Sequence, residues 1–300
     1  MDTVVLTAAG IRVTCVPGRG AKLTSINDLD RDREWLVPPG GPLDEPVPPG
    51  LPFTDGDMCG WDEMVPTIIP CRYPGPGQPD LQLPDHGELW TLPWPVTQRD
   101  DRSLTLAVVG RVLPYRLERQ ATVTPSSLLL DYRLDAAGDE PLQLLWAAHP
   151  QFRCRSGTRI VMPAHVRAAL DVTDPRRPQR IAWPGQGTDQ VDKLPRGTGR
   201  KLVLDPGTQA SWVSLVDPDG TALRLSWDCA QVPYLGLWLD HLRFSPTPCV
   251  VLEPTTGFYD DLALASASGR VMSLRPGQPI RWSLRVSLGT RSAAGPPAGS

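Results

Sequence analysis

Residues 210–228 read ASWVSLVDPDGTALRLSWD, in which two runs of alternating apolar and polar residues flank Pro218-Asp219-Gly220. Alternation with a period of two residues is typical of a β-strand that buries one face. Proline presets φ for a turn, and glycine accepts the left-handed backbone that a tight turn requires. The stretch therefore predicts a β-hairpin.

Two further stretches have the same design. YRLERQATV and SLLLDYRL flank Pro125-Ser126, and RVMSL and PIRWSLRV flank RPGQ at residues 275–278. No long stretch has the 3.6-residue periodicity of a helix. Because a sheet must bury one face on another layer, these strands predict an all-β chain folded as a large antiparallel β-sandwich. Shorter alternating runs add to it: IRVTCV, LTLAVV, LQLLWA, YLGLWL and CVVLEP.

Composition agrees with an all-β fold. The 300 residues include 35 prolines and 27 glycines, and proline opposes both helix interiors and central strands. A hydrophobic fraction of 40% suffices for a large core. No linker divides the chain, so we predict a single domain over residues 1–290 and a disordered tail over residues 291–300.

Charge and cysteine usage narrow the expected partners. A net charge of −3 gives no basic surplus for nucleic acid, although a phosphorylated small molecule remains open. No apolar run approaches the roughly 18 residues of a membrane span, and the first residues lack the pattern of a secretion signal. The six cysteines are scattered without zinc spacing, which predicts reduced thiols in a cytoplasmic protein and no bound metal.

The stretch 37–60 is too rich in proline and glycine to join a sheet. A loop of this length in a compact domain is usually functional or disordered. Because it leads directly into GWDEMVPT, we expect it to lie on the rim of a site, with a plain excursion as the alternative.

Three segments carry polar residues at the ends of apolar strands: LPDHGELWTLPW with His86 and Glu88, LLWAAHPQF with His149, and CVVLEPTTGF with Glu253. A carboxylate that directly follows a buried strand can be delivered to a cleft, where burial raises its pKa and suits it to act as a base.

Each of these residues also has a purely structural interpretation. A histidine before proline is often a hydrogen-bonded structural residue, and a glutamate before proline is often solvated. Asp240 beside His241 fits a surface pair as well as a ligand. Asp85 suits a turn that supports the backbone rather than His86.

Taken in order, the segments resemble the aldose 1-epimerase (galactose mutarotase-like) superfamily. GRGAKLTSINDLDRDREWL is similar to its opening strands, and GWDEMVPTI to the segment that enters its sugar cleft. PDHGELW is similar to its "HGfaR" element, and GDEPLQLLWAAHPQF to its "Hpyf" element. YLGLWLDH, VVLEPTTGFYDDLA and LRPGQPIRWSLRV are similar to its C-terminal run. The resemblance spans roughly 270 residues and implies a large antiparallel β-supersandwich.

The resemblance also implies roles for individual residues. His149 takes the position of the general acid, Glu253 that of the general base, and His86 that of a ligand to the sugar hydroxyls and ring oxygen. The partner is then a small sugar bound by a monomer or homodimer, and no cofactor is needed. The "HGfaR" arginine is replaced by Trp90 and its phenylalanine by Glu88, so Arg72 or Arg116 would have to substitute for the lost arginine.

Mutarotation requires these types of residue. A base removes the proton of the anomeric hydroxyl while an acid protonates the ring oxygen, and each such group contributes roughly 100- to 10,000-fold. Sugar sites also pair an aromatic platform with convergent polar groups. We expect further ligands among Glu63, Arg72, Glu88 and Asp240. We expect the aromatic platform among five tryptophans, although many tryptophans of the chain will be buried in the core: Trp61, Trp90, Trp94, Trp146 and Trp238.

Three functions follow as hypotheses. The first is a cofactor-independent aldose 1-epimerase that uses His86, His149 and Glu253. The second is a non-catalytic carbohydrate-binding protein, suggested by the altered "HGfaR" element. The third is a glycoside-processing enzyme in which Glu253 acts with a second carboxylate at Asp62, Glu63 or Glu88, which would require a carboxylate pair about 5 to 9.5 Å apart.

Overall fold

The predicted hairpin over residues 210–228 is present in the computed structural model, which describes residues 2–76, 78, 80–185 and 187–290. Its two strands pair antiparallel, and the backbone N–H of Asp217 donates to the carbonyl of Thr221 over 2.8 Å. Gly220 closes the turn with φ at +84°. The predicted tail, residues 291–300, lies outside the described residues.

Strands account for nearly all regular structure in the described residues. The one α-helix in the part of the chain that the structure describes, α1 (Leu262–Ala267), is capped at its start by the side chain of Asp261. Three 3-10 turns cover Phe53–Asp55, Leu89–Thr91 and Val191–Lys193. The strands in chain order are β1 (Val4–Ala8), β2 (Ile11–Val16), β3 (Lys22–Asp28), β4 (Arg33–Glu34), β5 (Trp61–Met64), β6 (Cys71–Arg72), β7 (Gln82–Leu83), β8 (Val96–Arg99), β9 (Ser103–Val109), β10 (Tyr115–Thr124), β11 (Ser127–Ala136), β12 (Leu142–Leu144), β13 (Ala147–Arg153), β14 (Arg159–Val161), β15 (Ala168–Asp171), β16 (Gln179–Ala182), β17 (Thr198–Val203), β18 (Trp212–Val216), β19 (Thr221–Trp227), β20 (Tyr234–His241), β21 (Cys249–Thr255), β22 (Met272–Leu274) and β23 (Ile280–Thr290).

Two large antiparallel sheets form the sandwich that the sequence predicted. The larger sheet has 11 strands in the order β1-β2-β3-β5-β13-β21-β20-β17-β15-β16, with β4 added beside β3. The second has eight strands in the order β14-β18-β19-β23-β11-β10-β9-β8. Apolar side chains from both sheets form the core between them, and the alternating burial along β10 and β11 follows from the period of the strand.

One predicted hairpin is wrong. β22 does not pair with β23, although their sequences flank a suitable turn. β11 pairs along one edge of β23 from Ile280 to Ser287 and β19 along the other from Leu284 to Thr290, and β22 joins neither edge. It pairs instead with β12, where Met272 and Leu274 lie opposite Leu144 and Leu142. A bridge between Arg275 and Gln278 makes the turn.

A bilayer-spanning helix is not found among the described residues.

Candidate functional site

The outer face of the larger sheet, which points away from the second sheet, carries two of the candidate residues, His149 and Glu253. His149 on β13 is the cross-strand partner of Asp62 on β5. The pairs Ala147–Thr255 and Gln151–Val251 flank His149 on its other side, which places it opposite Glu253 on β21. Side chains of cross-strand partners emerge on the same face. Three adjacent strands therefore present Asp62, His149 and Glu253 side by side.

Gly236 on β20 makes room for the glutamate. It is the cross-strand partner of Glu253, and a Cβ at this position would lie 2.7 Å from Oε2 of Glu253. Real Cβ atoms essentially never approach another heavy atom so closely. The missing side chain of Gly236 thus leaves the space in which the carboxylate lies.

His86 reaches the same place from a loop. Its backbone has φ at +57°, and its N–H donates to the carbonyl of Ile68 over 2.5 Å. The next residue must be glycine, because a Cβ on Gly87 would lie 2.0 Å from the carbonyl oxygen of Val65. This constrained turn directs the His86 ring toward His149, and the two ring centroids lie 5.0 Å apart at an angle of 87°.

Asp85 orients the His86 ring. Its Oδ1 lies 2.8 Å from Nδ1 of His86, and its Oδ2 accepts the backbone N–H of Phe53. Although partial burial acts to raise it, the hydrogen bond from His86 holds the pKa of Asp85 below its ordinary value. An Asp85 carboxylate that accepts from Nδ1 leaves Nε2 of His86 as the nitrogen available to a ligand. Asp85 therefore supports both the histidine and the turn.

A cavity of about 280 Å³ joins these groups. His86, His149 and Glu253 all line it, so the structure brings the three residues that define the predicted site together. The remaining lining residues come from six further segments and are mostly apolar or aromatic: Phe53, Thr54, Met58, Ile68, Ile69, Val172, Pro175, Lys201, Trp238, Phe244, Tyr259 and Asp260.

Lys201 is the main polar contact of Glu253. Its Nζ donates a hydrogen bond to Oε2 of Glu253 and lies 3.1 Å from Oδ1 of Asp260. Burial raises the pKa of the Glu253 carboxyl, while the Lys201 ammonium opposes that rise. Burial acts to lower the pKa of Lys201, but the carboxylates of Asp260 and Glu253 outweigh it and raise that pKa. The lysine consequently stays charged and favours an ionised Glu253.

His149 is buried and neutral at neutral pH. Burial, aided by the neighbouring His86, Lys201 and Lys22, lowers the pKa of His149 well below its ordinary value. Its Nδ1 has no hydrogen-bond partner among the described residues. Oδ1 of its cross-strand partner Asp62 is likewise unpaired, whereas Oδ2 accepts from Nζ of Lys22.

The proline-rich loop 37–60 covers one side of the cavity. Its 3-10 turn places Phe53 against His86, with ring centroids 4.1 Å apart and planes 8° from parallel. The same ring meets His149 edge-on at 4.8 Å. Phe53 also packs with Val47 and Trp90 in a small apolar cluster. The loop therefore lies on the rim of the cavity, where the sequence predicted it.

Two predicted ligands point to the opposite face of the sheet. Glu63 follows Asp62 on the same strand, and adjacent residues of a strand face opposite sides. Its carboxylate accepts from Arg119, Tyr132 and Trp146 at 2.8 to 3.0 Å, in the core between the sheets. Burial raises the pKa of Glu63 despite these hydrogen bonds. Trp61 is fully buried against Phe152 on the same side.

Glu88 and Trp90 turn away from the cavity as well. The Glu88 carboxylate accepts from the backbone N–H groups of Arg111 and Val112 and from the hydroxyl of Tyr115, so it stabilises a turn. Trp90 is buried, donates to the carbonyl of Asp85 and packs edge-on against Phe53. Trp90 therefore packs against the proline-rich loop rather than lining the cavity.

Arg72 and Asp240 also lie outside the lining. Arg72 is 63% exposed and pairs with Asp80. Asp240 is buried and accepts from the backbone of Arg243 and Phe244 and from Nε1 of Trp238. It thereby fixes Trp238, the one tryptophan among the predicted platform residues that lines the cavity. Gly199 leaves the space for that indole, since a Cβ there would lie 2.3 Å from its ring.

Among the described residues, no group of three or more His, Cys, Asp or Glu side chains is arranged to hold a metal ion.

Solved structures with the same architecture are numerous. The Slr1438 protein from Synechocystis sp. PCC 6803 superposes with a TM-score of 0.74 at 21% identity, covering 97% of this chain and 96% of that one. A putative aldose 1-epimerase from Escherichia coli K12 gives 0.71 at 16% identity, with 96% and 100% covered. A galactose mutarotase related enzyme from Lactobacillus acidophilus gives 0.70 at 14% identity, with 96% and 98% covered.

The chain has the galactose mutarotase-like fold. No family model matches the sequence, and no curated protein matches it. The likeness to solved structures thus rests on three-dimensional architecture at low sequence identity.

On this galactose mutarotase-like fold, the lining residues that the sequence did not indicate include Lys201, Asp260 and Phe53. Lys201 lies in TGRKLV, a strand without alternation of polar and apolar residues, so its sequence does not indicate which face the lysine takes. Asp260 lies in the segment FYDD after Glu253, but was assigned no role. Phe53 lies in the proline-rich loop, where no periodic pattern indicates which side chain turns inward.

Proposed function

We propose that the protein interconverts the anomers of an aldose by cofactor-independent acid/base ring opening, as an aldose 1-epimerase-like isomerase. One observation carries the proposal: His86, His149 and Glu253 line a single cavity that is lined largely by apolar and aromatic groups. Ligand sites typically combine an apolar cavity with a few convergent polar groups.

The reaction conserves one proton shared between Glu253 and His149. At neutral pH His149 is neutral and Lys201 keeps Glu253 ionised, so the reactive form is the minor one in which His149 has taken up a proton from solvent. In that form the Glu253 carboxylate removes the proton from O1 of the sugar. The C1–O5 bond breaks with its electron pair moving to O5, and the imidazolium gives its proton to O5. An open-chain aldehyde, a protonated Glu253 and a neutral His149 result.

Rotation about the C1–C2 bond then presents the other face of the aldehyde, and the same steps in reverse close the ring. Ring opening and ring closure both require that moving the proton between Glu253 and His149 costs little free energy. Burial raises the pKa of Glu253 and lowers that of His149, which narrows the gap between the glutamate and histidine proton affinities. Similar proton affinities suit groups that exchange the roles of acid and base.

His86 and Trp238 have supporting roles in this proposal. Nε2 of His86 accepts a hydrogen bond from a sugar hydroxyl, because Nδ1 is engaged by Asp85. The indole of Trp238 packs against the apolar face of the ring, as aromatic side chains do in sugar sites.

The test is exchange-spectroscopy NMR on a panel of equilibrated aldoses with and without the protein. We expect acceleration for at least one sugar, and a loss of roughly 100-fold or more in Glu253→Gln. The matched control is Glu88→Gln, which alters a buried carboxylate outside the cavity and should leave turnover per folded molecule unchanged. Absence of acceleration for every aldose, or an unchanged rate in Glu253→Gln, would refute the proposal.

A non-catalytic carbohydrate-binding protein is the second candidate. The Lys201–Glu253 ion pair favours it, because a carboxylate already engaged by a buried ammonium is a weaker base. Saturable binding of a sugar by calorimetry, without exchange between its anomers, would support this alternative.

The glycoside-processing hypothesis has less support. Neither Glu63 nor Glu88 lines the cavity, and Asp62 is paired with Lys22. The carboxylate that does accompany Glu253 is Asp260, and Lys201 bridges the two.

A further inference from the structure

We infer that the preferred substrate is an uncharged 6-deoxyaldose, rather than a phosphorylated sugar, an acidic sugar or the corresponding 6-hydroxy sugar. This inference rests on the proposed function, because it assumes that O1 and O5 of the sugar meet Glu253 and His149. Its grounds are the charge of the cavity, the nature of its walls and the position of Phe53.

The cavity has no cation free to bind an anion. Among the described residues that line it, Lys201 is the single lysine or arginine, and it already contacts the carboxylates of Glu253 and Asp260. Phosphate and carboxylate ligands in proteins are usually held by arginine or by an unpaired lysine. A sugar phosphate would instead meet the carboxylates of Glu253 and Asp260, of which the single Lys201 ammonium neutralises only one, so like-charge repulsion excludes it.

The mouth of the cavity is apolar as well. Ile69 is 41% exposed and Phe244 is 40% exposed, and both line the cavity. Exposed Pro175 adds to the same rim. Large apolar side chains left open to solvent at a concave site indicate a ligand with an apolar portion.

Phe53 determines where that apolar portion lies. In an aldohexopyranose, C5 carries both the ring oxygen and C6, so the C6 group enters the cavity beside O5. O5 is the atom that His149 protonates, and the ring of Phe53 lies 4.8 Å from the ring of His149. We therefore place the C6 group beside Phe53, whose ring is one wall of the cavity and is packed by His86, His149 and Trp90.

A methyl group suits this environment better than a hydroxymethyl group. Phe53 offers no hydrogen-bond partner, and a hydroxyl buried without a partner loses its hydrogen bonds to water. The methyl group of a 6-deoxy sugar gains from burial against the ring. We expect the difference to be about tenfold or more in kcat/KM.

The experiment compares sugars that differ at C6 alone. The pairs are D-fucose with D-galactose, D-quinovose with D-glucose, and L-rhamnose with L-mannose, together with glucose 6-phosphate and glucuronate. Anomer exchange is measured by NMR on the wild-type protein, and binding is measured by calorimetry on wild type and on Glu253→Gln. We expect the 6-deoxy sugar to be preferred in the pair with the correct ring stereochemistry, and the two anionic sugars to be inactive.

Two variants test the assigned contact. Phe53→Tyr places a hydroxyl on the same ring and should reduce the preference for the 6-deoxy sugar, whereas Phe53→Leu keeps the wall apolar and should retain it. Because the readout is a ratio between two sugars, a general loss of activity or of folded protein does not change it.

The outcomes separate this inference from the proposed function. Equal or better turnover of the 6-hydroxy sugar in every pair, or turnover of an anionic sugar, overturns the inference while the isomerase proposal stands. Tighter binding of a 6-deoxy sugar without anomer exchange supports the binding preference and overturns the isomerase proposal. No binding of any sugar overturns both.

Discussion

Nζ of Lys201 donates a hydrogen bond to Oε2 of Glu253, and the two residues are 52 positions apart in the chain. They meet because β20 lies between their strands and places both side chains on the outer face of the larger sheet. The ammonium opposes the rise in the pKa of Glu253 that burial causes.

Replacing Lys201 with methionine should make Glu253 a base that ionises only at higher pH. Without the ammonium, burial and the nearby Asp260 both raise the pKa of Glu253 further. The acid limb of the pH–rate profile should move to higher pH, with about tenfold loss at fixed acidic pH for each unit of displacement. Lys201→Arg keeps the charge and should leave the limb nearer its wild-type position. If the acid limb of the Lys201→Met profile lies at the wild-type pH, Lys201 does not lower the pKa of Glu253.

Gly236→Ala should displace the carboxylate without unfolding the protein. The new Cβ would lie 2.7 Å from Oε2 of Glu253, and the flexible end of that side chain can move away. We expect kcat to fall by about tenfold or more, since small misplacements of a reacting group are costly, while Tm changes by only a few degrees. Gly207→Ala is the control, because a Cβ there meets nothing within 4 Å. Equal activity in both variants would contradict the position assigned to the carboxylate.

The buried His149 should make stability depend on pH below neutrality. Its pKa in the folded protein is lowered by burial, so the unfolded chain binds a proton that the native chain does not. The contribution of neutral His149 to the free energy of unfolding is complete above the unfolded pKa of about 6.5. It is lost progressively as pH falls below that value, with a limiting slope of about 1.4 kcal/mol per pH unit. Urea unfolding of wild type and His149→Gln from pH 7.5 to 5 measures it. The variant should show a shallower dependence, whereas His165→Gln, at an exposed histidine, should match wild type.

Glu63→Gln should destabilise the protein because it leaves Arg119 buried between the sheets without its counter-charge. Arg119 and Glu63 are both fully buried and lie 3.0 Å apart. Removing one partner of such a pair costs about 3–5 kcal/mol, measurable as a lower urea midpoint. Glu118→Gln, which removes a partly exposed pair with Arg116, should cost less than about 1 kcal/mol. Similar losses in the two variants would argue against a structural role for Glu63.

Local sequence patterns predicted those parts of the fold that local physics determines. The hairpin over residues 210–228 could be predicted because alternation and a Pro-Asp-Gly turn act within 19 residues of chain. The hairpin expected from RVMSL and PIRWSLRV has equally good local signals, but it does not form. β22 pairs with β12 instead, and most of β23 pairs with β11 and β19. Such pairing between distant parts of the chain leaves no trace in the local sequence.

The same distinction applies to the site. The sequence identified His86, His149 and Glu253 as candidates through a resemblance, and all three line the cavity. It also named Glu63 as a possible ligand, for which the resemblance gave no role, and that residue faces the core. Alternation determines that Asp62 and Glu63 point to opposite sides of their strand, but not which side is covered by the second sheet. Strand order decides that, because it sets which faces meet across a sandwich, and it also brings Lys201 to Glu253. The packing of two loops brings Phe53 to His86, and no periodic pattern in the sequence encodes either contact.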